Sequence, residues 1–280
     1  MSSIDEWRGE LGAEWAHRQA IMDIMLRPFG EAAMATLGDL QGKQVLDLGC
    51  GGGDTTFALA KAGAGATGLD VSADLVAMAQ ARQAENGVAA SFICADAATT
   101  THDQKFDALF SRFGAMFFDD QVAGYTNLRA AMKPGADLAI ACWRVPKENE
   151  WAMLPLSLVR HLLPEPAPMP KFAPGPFAWS VPEETFEPAL EDAGWTDLSW
   201  GPLDFTVELG KGLEDAYGGD PVEAATAFCM SIGPSASRLR NVDDDLRAKI
   251  EDIIRAGMAE RLQNGKIMAN AAGWVVTAKA

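Results

Sequence analysis

Four glycines fall within five positions, Gly49, Gly51, Gly52 and Gly53, interrupted only by Cys50 and preceded by the carboxylate of Asp47. An apolar run leads into them and a helix-like run leads out, so they form a strand-to-helix turn. Such a turn presents bare backbone at a helix N-terminus, the usual seat of a nucleotide-like ligand. A dinucleotide turn requires GxGxxG. Here the last position of that pattern is Asp54, and the actual spacing is Asp47-x-Gly49-x-Gly51-x-Gly53. A diphosphate would meet like charge from Asp47 and Asp54. An adenosine compound that lacks phosphate and carries cationic groups would be attracted, and a carboxylate on it can use the helix N-terminus.

S-adenosylmethionine (SAM) has that chemistry, with one sulfonium, one ammonium and one carboxylate. VLDLGCGGGD, at residues 45–54, resembles motif I of the class I SAM-dependent methyltransferases, and later motifs agree in order and spacing. GLDVS places Asp70 at the end of the next strand, and CADA places Asp96 after the one beyond. The resemblance implies that Asp70 binds the ribose hydroxyls, that Val71 packs on the adenine, and that Asp96 with Ala97 meets the adenine amino group. It also implies that Asp47, Gly49, Cys50, Gly51, Gly53 and Ser111 line the cofactor, with Trp15 and Arg18 of an N-terminal segment that covers it. The resemblance is strong over residues 40–145, and the closing AAGWVVTAKA resembles small-molecule members, the ubiquinone- and menaquinone-biosynthesis methyltransferases among them. Members that methylate DNA or protein amino groups carry an NPPY-like run after the fourth strand. SRFGA stands there instead.

The acceptor side is expected from residues beyond the fourth and fifth strands: Arg112, Phe113, Met116, Trp143 and Trp151. Aromatic rings there suit a flat or cationic acceptor through stacking or cation–π contact. Methyl transfer is an in-line displacement that needs alignment and exclusion of water. A base is needed only where the acceptor must first lose a proton. His161, in an inserted segment, and His17, on the N-terminal helix, are the candidate bases. No Cys/His spacing suggests a metal site. Two rival readings stay open: a SAM-binding partner without transfer, and a nicotinamide-dependent oxidoreductase.

The elements that must position these residues follow from periodicity. Residues 1–40 read as a helical cap, with Pro28 ending its first helix. Short apolar runs at 44–48, 66–70, 90–94, 106–111 and 136–143 alternate with helical patterns at 54–62, 72–85 and 119–132, which is βαβ order. After Trp143 a proline-rich insertion, 146–180, reads as a lid with a helix at 150–163. A capping box at Ser180 and Glu183 starts a helix reaching residue 193. Strand-like residues continue the core to 210. A second insertion and a long helix occupy 211–263, and a closing strand 264–280. The expected fold is a doubly wound α/β sheet of seven mostly parallel strands, with the 41–145 core binding SAM and ligands placed beyond the strand carboxyl ends.

The 280-residue chain is 48% hydrophobic and 22% charged, with a net charge of −16. That length suits one elaborated domain, and that charge repels nucleic acid and anionic lipid. No stretch reads as a membrane span and MSSIDEWRGE has no signal-peptide core, so the cytoplasm is the expected compartment. Cys94 and Cys142 read as buried reduced thiols. The expected partner is a small-molecule substrate, with a homodimer compatible with the chain.

Overall fold

The structure, a computed structural model, describes residues 7–163 and 173–280. Helix α1 (Glu10–Ala35) leads into β1 (Gln44–Leu48), α2 (Asp54–Lys61), β2 (Gly65–Asp70), α3 (Ala73–Asn86), β3 (Ser91–Cys94), β4 (Phe106–Arg112), α4 (Gln121–Ala130) and β5 (Met132–Trp143). The remainder comprises α5 (Glu150–Val159), α6 (Phe186–Asp192), β6 (Thr196–Glu208), α7 (Pro221–Ser231), α8 (Gly233–Arg238), α9 (Asp244–Glu260) and β7 (Met268–Lys279).

All seven expected strands form one sheet, in the order β3-β2-β1-β4-β5-β7-β6. Only β7 runs against its neighbours β5 and β6. The chain leaves β1 toward β2 and β3, then returns to β4 on the other side, so the topology switches between β1 and β4. Ligand crevices in such sheets open beyond the carboxyl ends at that switch. Val45, Leu46, Ala108, Leu109 and Phe110 are fully buried there, as central parallel strands require.

Local chemistry sets the helix starts. Ser72 accepts from Leu75 N–H and begins α3, which Gly87 ends in the left-handed conformation. Asp120 caps α4 and Asp243 caps α9, whose Ile250, Ile254 and Met258 form a buried stripe.

Three expectations need correction. Pro28 does not end a helix: α1 runs through it to Ala35. An interior proline costs about 3 kcal/mol, but Met25, Leu26, Phe29 and Ala33 on both sides are buried against the core, and that burial outweighs the lost hydrogen bond. The capping box at Ser180 does not form. Pro182–Glu184 makes a single 3-10 turn, α6 starts only at Phe186, and the Ser180 carbonyl instead accepts from Trp274 Nε1. Cys94 is exposed, because β3 is an edge strand, whereas Cys142 is buried in β5. The prolines between 164 and 172 lie outside the described residues.

Candidate functional site

The site is built on the bend after β1. Gly49, Gly51 and Gly53 all have positive φ, at 67°, 52° and 87°. Their reasons differ. A Cβ on Gly49 would fall 2.7 Å from the Cα of Gly114, in the loop after β4. One on Gly51 would lie 3.2 Å from Gln19 Oε1, a side chain of α1. The first glycine therefore lets two loops touch, and the second faces the covering helix.

Four amides of this bend are already engaged. Gly49 and Cys50 N–H donate to the Leu69 carbonyl at 2.8 and 3.2 Å, and Gly53 N–H to the Cys50 carbonyl at 3.0 Å. Gly51 N–H donates to Asp70 Oδ2 at 2.9 Å. The group that would cradle a phosphate thus holds a carboxylate, which leaves the bend electronegative.

Asp47 is fully buried. Its Oδ2 accepts from Thr55 Oγ1 at 2.7 Å and Thr56 Oγ1 at 2.6 Å, which ties the end of β1 to the first turn of α2. Its Oδ1 has no partner among the described residues. Burial raises its pKa to about 6, against the threonine hydroxyls and Arg112, which pull it down. Burial also pushes Asp70 up, opposed by the Ser72 and Gly51 N–H groups. Asp23 moves the same way, through burial and then the neighbouring Asp54. Desolvation is thus the leading cause at all three carboxylates, and of the three only Asp23 has an arginine in direct ion-pair contact.

The loop after β4 forms the second wall. Ser111 Oγ donates to the Leu48 carbonyl at 2.8 Å, joining β4 to β1. Arg112 is nearly enclosed and pairs with Asp23 at 2.9 Å and Asp54 at 2.8 Å. Its guanidinium thus links α1 to α2. Phe113 has φ 59°, an outlier for a bulky residue of the kind that gathers at functional sites. Its ring stacks on Trp143 at 4.0 Å between centroids, and Phe29 meets both edge-on. Trp151 joins at 5.0 Å from Trp143. Met116 is fully buried. Phe113, Trp143 and Trp151 are thereby brought together beyond β4 and β5.

On the opposite side, Asp96 Oδ1 accepts from Ala98 N–H at 2.9 Å, and Asp96 Oδ2 pairs with Arg8 at 3.2 Å. The Ala97 carbonyl accepts from Asn127 Nδ2. Val71 follows Asp70 at the exit of β2, half-buried. Helix α1 lies across these exits. Trp15 packs edge-on to Trp7, which in turn meets Phe117. Arg18 lies on the same helix, half-buried. The side chain of His17 lies outside the described residues. His161 sits exposed in the turn after α5, apart from the aromatic cluster, and His102 packs on Phe106, at the opposite end of β4.

An open concavity of about 780 Å³ lies away from the bend, between α5 and the β6–β7 ribbon. Its charges are largely matched, Arg144 with Glu148 and Asp204, and Arg261 with Glu150.

The residues fit a cationic adenosine compound. Trp7 Nε1, Gln19 Oε1 and Asp47 Oδ1 are buried without a partner among the described residues, and all three belong to the bend or to the segment covering it. Two are acceptors and one is a donor, as an ammonium and a polar group of a ligand would require. Sequence reasoning missed Gln19, Asp23, Arg82 and Trp7. The i,i+4 spacing of Gln19 and Asp23 was visible, but their partners lie far along the chain.

Comparison with known proteins agrees. A family model described as "Methyltransferase domain" matches residues 45–135. The chain is 31% identical over 120 residues to an uncharacterised protein of Mycobacterium tuberculosis, 42% of this chain and 44% of that one, so this match spans less than half the relative's length. A second uncharacterised protein of that organism is 30% identical over 243 residues, 84% of this chain and 83% of the relative. A ubiquinone biosynthesis O-methyltransferase of Coxiella burnetii is 37% identical over 100 residues, 35% of this chain and 43% of the other. Among solved structures, a putative methyltransferase of Bacillus halodurans shares the fold, with a TM-score of 0.55 and 16% identity over 89% of this chain and 97% of that one. With its strand order, its acids at successive βα junctions and these relatives, the chain belongs to the class I SAM-dependent methyltransferase family.

Proposed function

We propose that the protein transfers a methyl group from SAM to a small apolar, aromatic or amine-bearing acceptor by in-line displacement. The observation that carries this reading is the occupied Gly51 amide. It holds the Asp70 carboxylate at 2.9 Å, beside the buried and half-partnered Asp47. That arrangement favours a positively charged ligand and disfavours a diphosphate, which also speaks against a nicotinamide cofactor.

When bound, SAM supplies a methyl group already activated by its sulfonium. The chain's own residues do the rest. Asp47 and Asp70 hold negative charge at the bend. Helix α1 packs against α2, α3 and β4 over the glycine bend, where it would exclude water. Phe113, Trp143 and Trp151 pack with Phe29 in a buried aromatic cluster at the carboxyl ends of β4 and β5, which in this reading backs the acceptor. His102 packs on Phe106 at the amino-terminal end of β4, and His161 is exposed in the turn after α5. An acceptor whose nucleophile is available near neutral pH, such as an amine, an acidic phenol or a stabilised carbanion, would need no base from the chain.

The test is incubation of purified protein with methyl-labelled SAM and separate pools of phenols, amines and carbon acids. Label appearing in one low-molecular-weight product supports the reading. SAM binding with no transfer to any pool or to a cell extract would instead identify a non-catalytic SAM-binding partner.

A further inference from the structure

Gln19 occupies an unusual position on α1. It is 5% exposed, a rare burial for a glutamine. Its amide orientation is set by Asp23, because Nε2 donates to Asp23 Oδ1 at 2.6 Å. Asp23 is itself fixed by two cations. Its Oδ1 also accepts from Arg112 Nη2 at 2.9 Å, and its Oδ2 from Arg82 Nη1 at 3.2 Å. The same Arg82 nitrogen donates to the Gly52 carbonyl at 2.7 Å. The network therefore runs from α1 through Asp23 and Arg82 back to the glycine bend, and it turns the Gln19 carbonyl away from Asp23.

That carbonyl faces the bend. A Cβ on Gly51 would lie 3.2 Å from Gln19 Oε1, and one on Gly52 would lie 2.7 Å from its Cγ. Oε1 is buried and has no partner among the described residues. A buried acceptor without a donor is destabilising, and a protein retains one where a ligand or water completes it.

We propose that Gln19 is a cofactor-binding residue whose carbonyl oxygen accepts a hydrogen bond from the ammonium of the SAM amino-acid arm. Asp23 is the positioning residue that holds the amide in this sense, with Arg82 and Arg112 holding Asp23. The proposal rests on the assignment of the bend to SAM. Its new content is that part of the grip on the amino-acid arm comes from the helix covering the bend. A hydrogen bond to a charged group is stronger than a neutral one, so its loss is expected to be measurable.

The test compares two ligands by calorimetric titration of the full-length protein. S-adenosylhomocysteine carries the adenosine and the amino-acid arm, and methylthioadenosine carries the adenosine and sulfur alone. Gln19→Leu is expected to weaken S-adenosylhomocysteine about tenfold or more, while leaving methylthioadenosine within about twofold. The ligand-free variant is expected to melt close to wild type, because loss of the Gln19–Asp23 hydrogen bond is offset by removal of a buried unpaired acceptor. Gln19→Met, which preserves side-chain length, is expected to show the same selective loss and serves should leucine disturb α1. Equal weakening of both ligands, or of neither, overturns the proposal and makes Gln19 a packing residue. If wild-type protein binds neither ligand, the assignment of the bend to SAM fails with it.

Discussion

Gly49 and Gly114 meet backbone to backbone. A Cβ on Gly49 would stand 2.7 Å from Gly114 Cα, and one on Gly114 would stand 2.7 Å from the Leu48 carbonyl oxygen and 2.8 Å from Gly49 Cα. The loops after β1 and β4, which flank the topological switch, are thus seated directly on one another. Alanine at either position must push backbone against backbone, and at Gly49 it also meets the positive φ. Each substitution is expected to lower stability by about 2–4 kcal/mol, from strain and overpacking together. Gly51→Ala shares the positive φ but meets only the end of the flexible Gln19 side chain and no backbone, so it is expected to cost less, about 1 kcal/mol of stability, and to lose S-adenosylhomocysteine affinity disproportionately. Urea denaturation with parallel titration separates the two classes. Equal stability losses at 49 and 51 would contradict the distinction.

Asp23 and Arg112 form a nearly enclosed ion pair, with Asp54 as second acid to the same guanidinium. Removing one member of a buried pair typically costs about 3–5 kcal/mol. Here Asp54 still neutralises Arg112, so Asp23→Ala is expected to cost about 2–3 kcal/mol. The double variant Asp23→Ala with Arg112→Ala should lose less than the sum of the single changes. A double-mutant cycle by chemical denaturation checks this, and strict additivity would refute the coupling.

Asp47 should make the ligand-free protein respond to acid in an uncommon direction. Burial lifts its folded pKa to about 6, above the ordinary carboxylate value of 3.8. Between those values the folded chain binds more protons than the unfolded chain. Its contribution to stability is therefore fully present below the lower value and is lost as pH rises through about 6. Asp47→Asn is expected to gain on wild type as pH rises from 5 to 7, measured as the difference in melting temperature. Other titrating groups cancel in that difference to first order. A difference independent of pH would show that Asp47 does not titrate in this range.

Phe113 combines a positive φ with a stacked ring. Ring removal should cost about 3–5 kcal/mol, but the two truncations should differ. Phe113→Gly releases the backbone strain that Phe113→Ala retains, so glycine is expected to be the more stable variant by about 1 kcal/mol. Ordinarily glycine is the worse of the two. Thermal melts of the pair decide, and an alanine variant that outlasts the glycine one would argue against strain at this position.

The strands, their order class and the acids at the ends of β1, β2 and β3 were legible in the sequence, because each depends on local pattern: short apolar runs, glycine turns and βα alternation. Features that depend on distant partners were not legible. Pro28 is a helix breaker by local rules, yet burial of Phe29 and its neighbours holds α1 through it. Cys94 sits in an apolar stretch like Cys142, and only its edge position exposes it. Arg112 stood out beyond β4, but its partner Asp23 is 89 residues away, and nothing in the intervening pattern joins them. Gln19 escaped notice because a glutamine on an amphipathic helix reads as surface until the glycine bend is packed beneath it.

The bend from Asp47 to Asp54 is proposed to hold a cationic, phosphate-free adenosine compound. Side-by-side calorimetric titrations of the wild-type protein with S-adenosylhomocysteine and with NADH test it most directly. Saturable one-to-one binding of S-adenosylhomocysteine and no heat from NADH are expected. Tight binding of NADH with no response to S-adenosylhomocysteine would contradict it.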